Sequence, residues 1–152
     1  MRLWHKDLIP VLPTKQLKGQ WRECCAIASG IAENGTPGHL LVNKIMDYPL
    51  SHFVAYTKLV DAEMDRRGIG HRIGAFLQYF DFGDLIEKVS HDEIFKDWHN
   101  WDYAVVCQYN LYEKWTCGGL TNDEYSAICQ RTAQILDEFL EECRRNGGIS
   151  NE

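Results

Sequence analysis

Leu17, Trp21, Cys24, Ala28 and Ile31 recur at helical spacing, and no proline interrupts the chain between Pro13 and the Asn34-Gly35 pair. The pattern predicts a helix over residues 14–33, with Thr14 as its N-cap. Lys15, Lys18 and Arg22 fall on a second, basic stripe, and Glu23 stands about 100° round from Arg22. The helix is expected to carry Glu23 across residues 1–6. That opening arm mixes Arg2, His5, Lys6 and Asp7 with Leu3, Trp4, Leu8 and Ile9, while Pro10 and Pro13 keep it from running on into the helix. By pattern alone, a lone carboxylate beside a row of cations reads as a solvated helix face with one exposed Glu.

Five further segments follow. A second helix is predicted from about Pro49, with Leu50, Phe53, Thr57, Val60 and Met64 inward and Arg66-Arg67-Gly68 at its end. Residues 68–83 hold an aromatic-rich piece (Phe76, Tyr79, Phe80, Phe82) suited to a short helix, and residues 85–98 another, capped at Ser90. Ala104, Cys107, Leu111 and Trp115 place a third long helix before Cys117-Gly118-Gly119. Thr121-Asn122-Asp123-Glu124 has the capping-box form, and Tyr125, Ile128, Ile135, Leu136, Phe139 and Leu140 continue an apolar face to Gly147-Gly148. Nothing alternates with period two. The expectation is one all-α domain over residues 1–152, a single compact helical unit with an ordered N-terminal arm laid against the first helix.

Composition changes little. The charged fraction of 25% is that of an ordinary globule, and a net charge of −6 argues against a strongly basic nucleic-acid binder without excluding a local patch. Five Trp, seven Tyr and six Phe exceed what a core of this size needs, so some are available for stacking. Six Cys lack any C-x-x-C pair or zinc-like spacing, and no secretory signal or membrane-length apolar run is present. Reduced, mostly buried thiols in a cytoplasmic protein are expected. His91, Asp92, Glu93, His99 and Asp102 are metal-capable types without a metal-site spacing. His52 and His71 stand alone and read as surface or hydrogen-bonded residues. No phosphate loop, nucleophile elbow or zinc-protease pair occurs.

Met1-Arg2-Leu3-Trp4-His5-Lys6-Asp7-Leu8-Ile9-Pro10, followed by Gly19-Gln20-Trp21-Arg22-Glu23-Cys24-Cys25, resembles the opening of bacterial members of the pyrimidine dimer DNA glycosylase family. Trp21-Arg22-Glu23 is similar to the aromatic-Arg-Glu triplet on the first helix of the family's phage-type enzyme. Residues 62–68 resemble the end of the family's second long helix, and residues 104–114, through Gln108, Leu111, Glu113 and Lys114, a later one. The last helix has no counterpart.

The resemblance implies an all-α DNA repair glycosylase that also cleaves abasic sites by β-elimination, through an imine formed by the N-terminal α-amine. Such amines titrate at about 7.7–8.0, so they reach the nucleophilic form near neutral pH more readily than a lysine. Met1 would be the nucleophile and Glu23 the catalytic carboxylate. Arg2, Arg22 and Lys114 would hold phosphates, and helix geometry adds Lys15 and Lys18. The implied partner is double-stranded DNA with a damaged base or abasic site. Neither metal nor organic or nucleotide cofactor is implied, nor a membrane, and a monomer is expected.

Departures from the family are specific. Arg2 directly follows Met1, and removal of an initiator Met needs a small second residue, so Met1 is expected to stay. An arginine three residues after the family's catalytic Glu is Ala26 here, one on the later helix is Asn110, and the aromatic-lysine tail is missing. The resemblance therefore carries the lyase chemistry further than it carries dimer recognition. Two other readings stay open: a non-catalytic DNA- or protein-binding module with this fold, and an N-terminal-amine enzyme acting on a non-DNA carbonyl compound.

Overall fold

Pro13, not Thr14, caps the first helix. Its extended ψ of 147° and its carbonyl, which accepts the Leu17 N–H at 3.0 Å, make it the half-in residue. Thr14 already has helical dihedrals, so its hydroxyl makes no cap bond. This helix, α1 (Thr14–Asn34), ends at Gly35 with φ of +73°. The expected stripe of Leu17, Trp21, Cys24, Ala28 and Ile31 is buried. Helix α2 (Leu50–Arg66) starts behind Pro49 and closes with a Schellman turn. There the Ile69 N–H reaches Met64 C=O and the Gly68 N–H reaches Asp65 C=O, with Gly68 at φ of +65°.

The structure, a computed structural model, describes residues 1–80 and 88–147. Of the aromatic segment expected over 68–83, one helical turn forms, α3 (Gly74–Leu77), with Phe76 buried against Trp21 and Phe53. Phe82 and residues 85–87 lie outside the described residues. Ser90 does cap a turn, a 3-10 segment (His91–Glu93) closed by a capping box with Glu93. Helices α4 (Trp101–Thr116) and α5 (Asn122–Arg145) are joined by a short connection and pack on each other, and Thr121 with Glu124 forms the expected box. Beyond Ile135, α5 leaves the core: Phe139 is exposed and Leu140 half-buried. No strand occurs among the described residues, and the fold is all-α.

The opening arm reaches further than the first helix. Leu3, Leu8, Ile9 and Leu12 belong to the same buried cluster as Trp21, Phe53, Phe95, Cys107 and Ile128. Its 3-10 segment (Lys6–Val11) packs on α2 and α5. All six cysteines are free, but only Cys24 and Cys107 are buried. Cys117 is exposed because it closes α4 at the surface, and the other three are half-buried on helix flanks, so the expectation of mostly buried thiols fails. No helix among the described residues is long and apolar enough to cross a membrane.

Candidate active site at the N-terminal arm

An extended arm has backbone donors and acceptors that a sheet would normally satisfy. Here side chains from several elements do so. Leu3 C=O accepts the Tyr103 hydroxyl of α4. The Trp4 N–H donates to Gln20 Oε1 of α1 at 2.8 Å, and Trp4 C=O accepts the Tyr56 hydroxyl of α2 at 2.7 Å. The His5 N–H points at Cys107 Sγ at 3.3 Å, and the Lys6 N–H donates to His99 Nδ1 at 3.0 Å. At the arm's far end the Arg67 guanidinium, ion-paired with Glu63, donates to Leu12 C=O at 2.6 Å and Pro10 C=O at 2.9 Å. The arm is thus held by side chains from Leu3 to Leu12.

Those first atoms meet Glu23. The Met1 amine lies 4.0 Å from Glu23 Oε1, and the Arg2 backbone N–H donates to Oε2 at 3.2 Å. One carboxylate oxygen is therefore tied while the other faces the amine. The carboxylate remains about one-third exposed. Gly19, one turn earlier on the same face, would meet nothing within 4 Å if it carried a Cβ, so the space before Glu23 on α1 is open. The Arg2 guanidinium sits 5.8 Å from the Trp4 ring centroid, with the Tyr103 hydroxyl and Cys107 thiol beside it. Burial pushes the Cys107 thiol up to about 11 and the Cys24 thiol up to about 12, so both stay protonated and neither is a nucleophile at neutral pH.

Met1, Arg2 and Glu23 are brought together. Lys15, Lys18 and Arg22 line the exposed side of α1, and none forms an ion pair or hydrogen bond with a described residue. Lys114 is exposed in the last turn of α4, on the row that Tyr103, Cys107 and Asn110 begin at i, i+4 and i+7. Asn110 turns its amide back to Val106 C=O, and Ala26 is exposed on α1.

The metal-capable residues do not converge. His91 pairs with Asp7 at 2.5 Å, Glu93 caps its own turn, and His99 is buried under the arm. His71 bonds Asp61 and sets its ring edge on Trp21, and His52 accepts the Phe95 N–H, so both are hydrogen-bonded as expected. A cavity of about 780 Å³ lies elsewhere, between the arm and α5, lined by His5, Asp7, Lys96, His99 and Glu138; neither Met1 nor Glu23 reaches it.

Gln20, Tyr56, Tyr103 and His99 are the residues that sequence reasoning missed. Gln20 left one signal, a polar side chain between Leu17 and Cys24 on the buried face of α1. Tyr56 and Tyr103 left none, and His99 shows in the sequence only as a metal-capable type. Compared with known proteins, residues 1–76 match the sequence model of one family, described as pyrimidine dimer DNA glycosylase. That stretch contains Met1, Arg2, Gln20, Glu23 and Tyr56 and ends inside α3. No curated protein and no solved structure matches the chain.

Proposed function

The chain belongs to the pyrimidine dimer DNA glycosylase family, and from that premise we propose that it releases damaged bases from double-stranded DNA and cleaves the resulting abasic site. The observation that carries the reading is the placement of the Met1 amine 4.0 Å from a carboxylate whose other oxygen is already held by Arg2. The neutral amine attacks C1′ of the sugar. The C1′–N bond breaks, its electron pair leaves with the base, and Glu23 stabilises the cationic sugar as charge develops. The amine then loses its protons as the C1′–O4′ bond opens to give an imine. Removal of a C2′ proton expels the 3′ phosphate, and water hydrolyses the imine to free the enzyme.

Glu23 is suited to take and return those protons, since Oε1 faces the amine and remains accessible. Arg2, Lys15, Lys18, Arg22 and Lys114 supply the phosphate contacts, and the scheme needs neither metal nor organic cofactor. We read residues 1–152 as one such domain, acting as a monomer in the cytoplasm. Ala26 and Asn110 stand where the family pattern carries arginines, so the lesion released need not be a pyrimidine dimer. The net charge of −6 favours a second reading, a module that binds DNA or protein without chemistry.

The decisive experiment blocks one atom. An N-terminally acetylated or tagged protein has an amide where the nucleophile stood, with every core residue untouched. It should fold, bind an abasic duplex and give no borohydride-trapped adduct, while a C-terminal tag leaves trapping intact. Peptide mapping of the adduct should place the cross-link at Met1 alone. Equal trapping by blocked and free protein would move the nucleophile elsewhere, and no trapping by either would favour the non-catalytic module.

A further inference from the structure

Two glycines, Gly19 and Gly30, lie inside α1, and only one of them has a reason within the fold. A Cβ on Gly30 would lie 3.2 Å from the carbonyl oxygens of Thr36 and Pro37, so a side chain there would push the following loop off the helix. Gly19 meets no such limit. A Cβ built on it finds no atom within 4 Å, and its φ is not positive. A glycine inside a helix is less favourable than alanine, because it gives up more backbone freedom on folding. Neither backbone conformation nor packing among the described residues offsets that cost at Gly19.

On a helix surface the neighbours of residue 19 are residues 15, 16, 22 and 23, about 5–6 Å away between Cβ positions. These are Lys15 and Arg22, both exposed, and Gln16 and Glu23, both half-buried. Gly19 therefore stands between cations and carboxylate, about 60° round from Arg22 and about 40° from Glu23. Side chains on a helix lean toward its N-terminus, so Arg22 and Glu23 both project over the turn that holds Gly19. Neither comes within 4 Å of the place a Cβ would take. Glu23 in turn faces the Met1 amine at 4.0 Å and accepts the Arg2 N–H at 3.2 Å. The gap is thus bounded by two cations on one side and, on the other, by the carboxylate that meets the amine. Resting on the glycosylase reading above, we propose that the gap over Gly19 seats the deoxyribose of the reacting nucleotide, with its phosphate on Lys15 or Arg22 and its C1′ turned toward Glu23 and Met1. A nucleotide swung out of the duplex presents this pairing, a compact sugar ring beside an anion. The absent side chain lets the ring rest against helix backbone, a use for which glycine alone is suited. Gly19 is then a specificity-determining residue, which admits the sugar and takes no part in the chemistry.

Gly19→Ala and Gly19→Leu each place a better helix former in open space, so each should raise the melting temperature by about 2–4 °C. DNA recognition should move the other way. In anisotropy titrations wild-type protein should bind a duplex with a tetrahydrofuran abasic analogue more tightly than an undamaged duplex. Gly19→Leu should lose that preference, while its affinity for the undamaged duplex, set by phosphate contacts that the leucine leaves in place, stays within about threefold of wild type. Borohydride trapping on a true abasic duplex should fall at least about tenfold in Gly19→Leu and less in Gly19→Ala. Reductive methylation of the Met1 amine by formaldehyde and cyanoborohydride, read by mass on the N-terminal peptide, should keep its wild-type rate in both, since formaldehyde needs no seat. Wild-type abasic preference and trapping in Gly19→Leu overturn the seat. So does slower methylation of Met1 or a lower melting temperature in that variant, either of which would give Gly19 a structural role in holding the arm or the helix. Equal affinity of the wild type for the two duplexes overturns it as well. If the wild type traps no abasic DNA, the Met1 chemistry is refuted, and the affinity comparison still decides the seat.

Discussion

Glu23 is oriented by one backbone N–H and faces one amine. A glutamine at this position keeps the shape and one oxygen to accept the Arg2 N–H, so Glu23→Gln should change stability by no more than about 0.5 kcal/mol. The charge, however, is gone. Base release should fall by about two to three orders of magnitude, the scale seen when one preorganised electrostatic group is lost. Imine formation on a pre-made abasic site should suffer less, because the base has already left. Parallel melts, single-turnover base release and trapping assays separate these outcomes. Wild-type base release by the variant would remove Glu23 from the mechanism.

Helix α1 has two working faces, and they do different things. Its buried side grips the arm through Gln20, and its exposed side holds Lys15, Lys18 and Arg22 with no partner among the described residues. Cations left unpaired on an acidic protein are free to displace counterions from DNA. Arg22→Ala should weaken binding to any duplex, and the slope of log K against log salt should become shallower by about one. A titration across several salt concentrations checks this, and an unchanged slope with a folded variant would return Arg22 to an ordinary solvated role. The fifth turn of the same helix, through Gly30, seats the loop at Thr36 and Pro37.

Across the whole molecule the arm ties the two ends of the chain together, and it does so through neutral histidines. His5 Nδ1 accepts the Asp7 N–H and His99 Nδ1 accepts the Lys6 N–H, so neither nitrogen can carry a proton in this arrangement. Burial holds His99 well below the ordinary histidine range, with His5 and Lys6 adding to the effect, and burial lowers His5 as well. A histidine that binds its proton less tightly folded than unfolded contributes stability above about pH 6.5, and that contribution is lost as pH falls below it. His71 works the other way: burial lowers it, but the Asp61 hydrogen bond, the Ile69 carbonyl and the Asp61 and Asp65 charges together more than offset this, and its contribution is complete below about 6.5, so it does not compensate there. Melting temperature should therefore decline from pH 6.5 towards 5, and trapping should decline with it as the arm loosens. A melting temperature that is flat over that range would refute the neutral-histidine lock. Helix α5, which has no counterpart in the family resemblance, joins this lock by donating from Arg131 Nε to Asp7 C=O at 3.1 Å.

What the sequence determined by itself is local. Pro13, Gly35, Pro49, Gly68 and Thr121 bound their helices because proline geometry, positive φ and capping bonds act within a few residues. The stripes of α1 and α2 follow from helical periodicity, and the opening motif made Met1 and Glu23 candidates before any geometry was known. Tertiary structure decided the rest. The amine and the carboxylate are 22 positions apart, and the bonds that hold the arm join residues up to 124 positions apart. Side chains that satisfy an extended backbone from distant helices follow no period, so Tyr56 and Tyr103 carry no sign of this role in the sequence, and His99 reads there only as a metal-capable type. Thr14 lost its capping role to Pro13 because the helix start depends on the backbone dihedrals around the proline. The close approach of the Thr36 and Pro37 carbonyls to α1 likewise exists only in the folded chain, at Gly30, where an added Cβ would lie 3.2 Å from both oxygens.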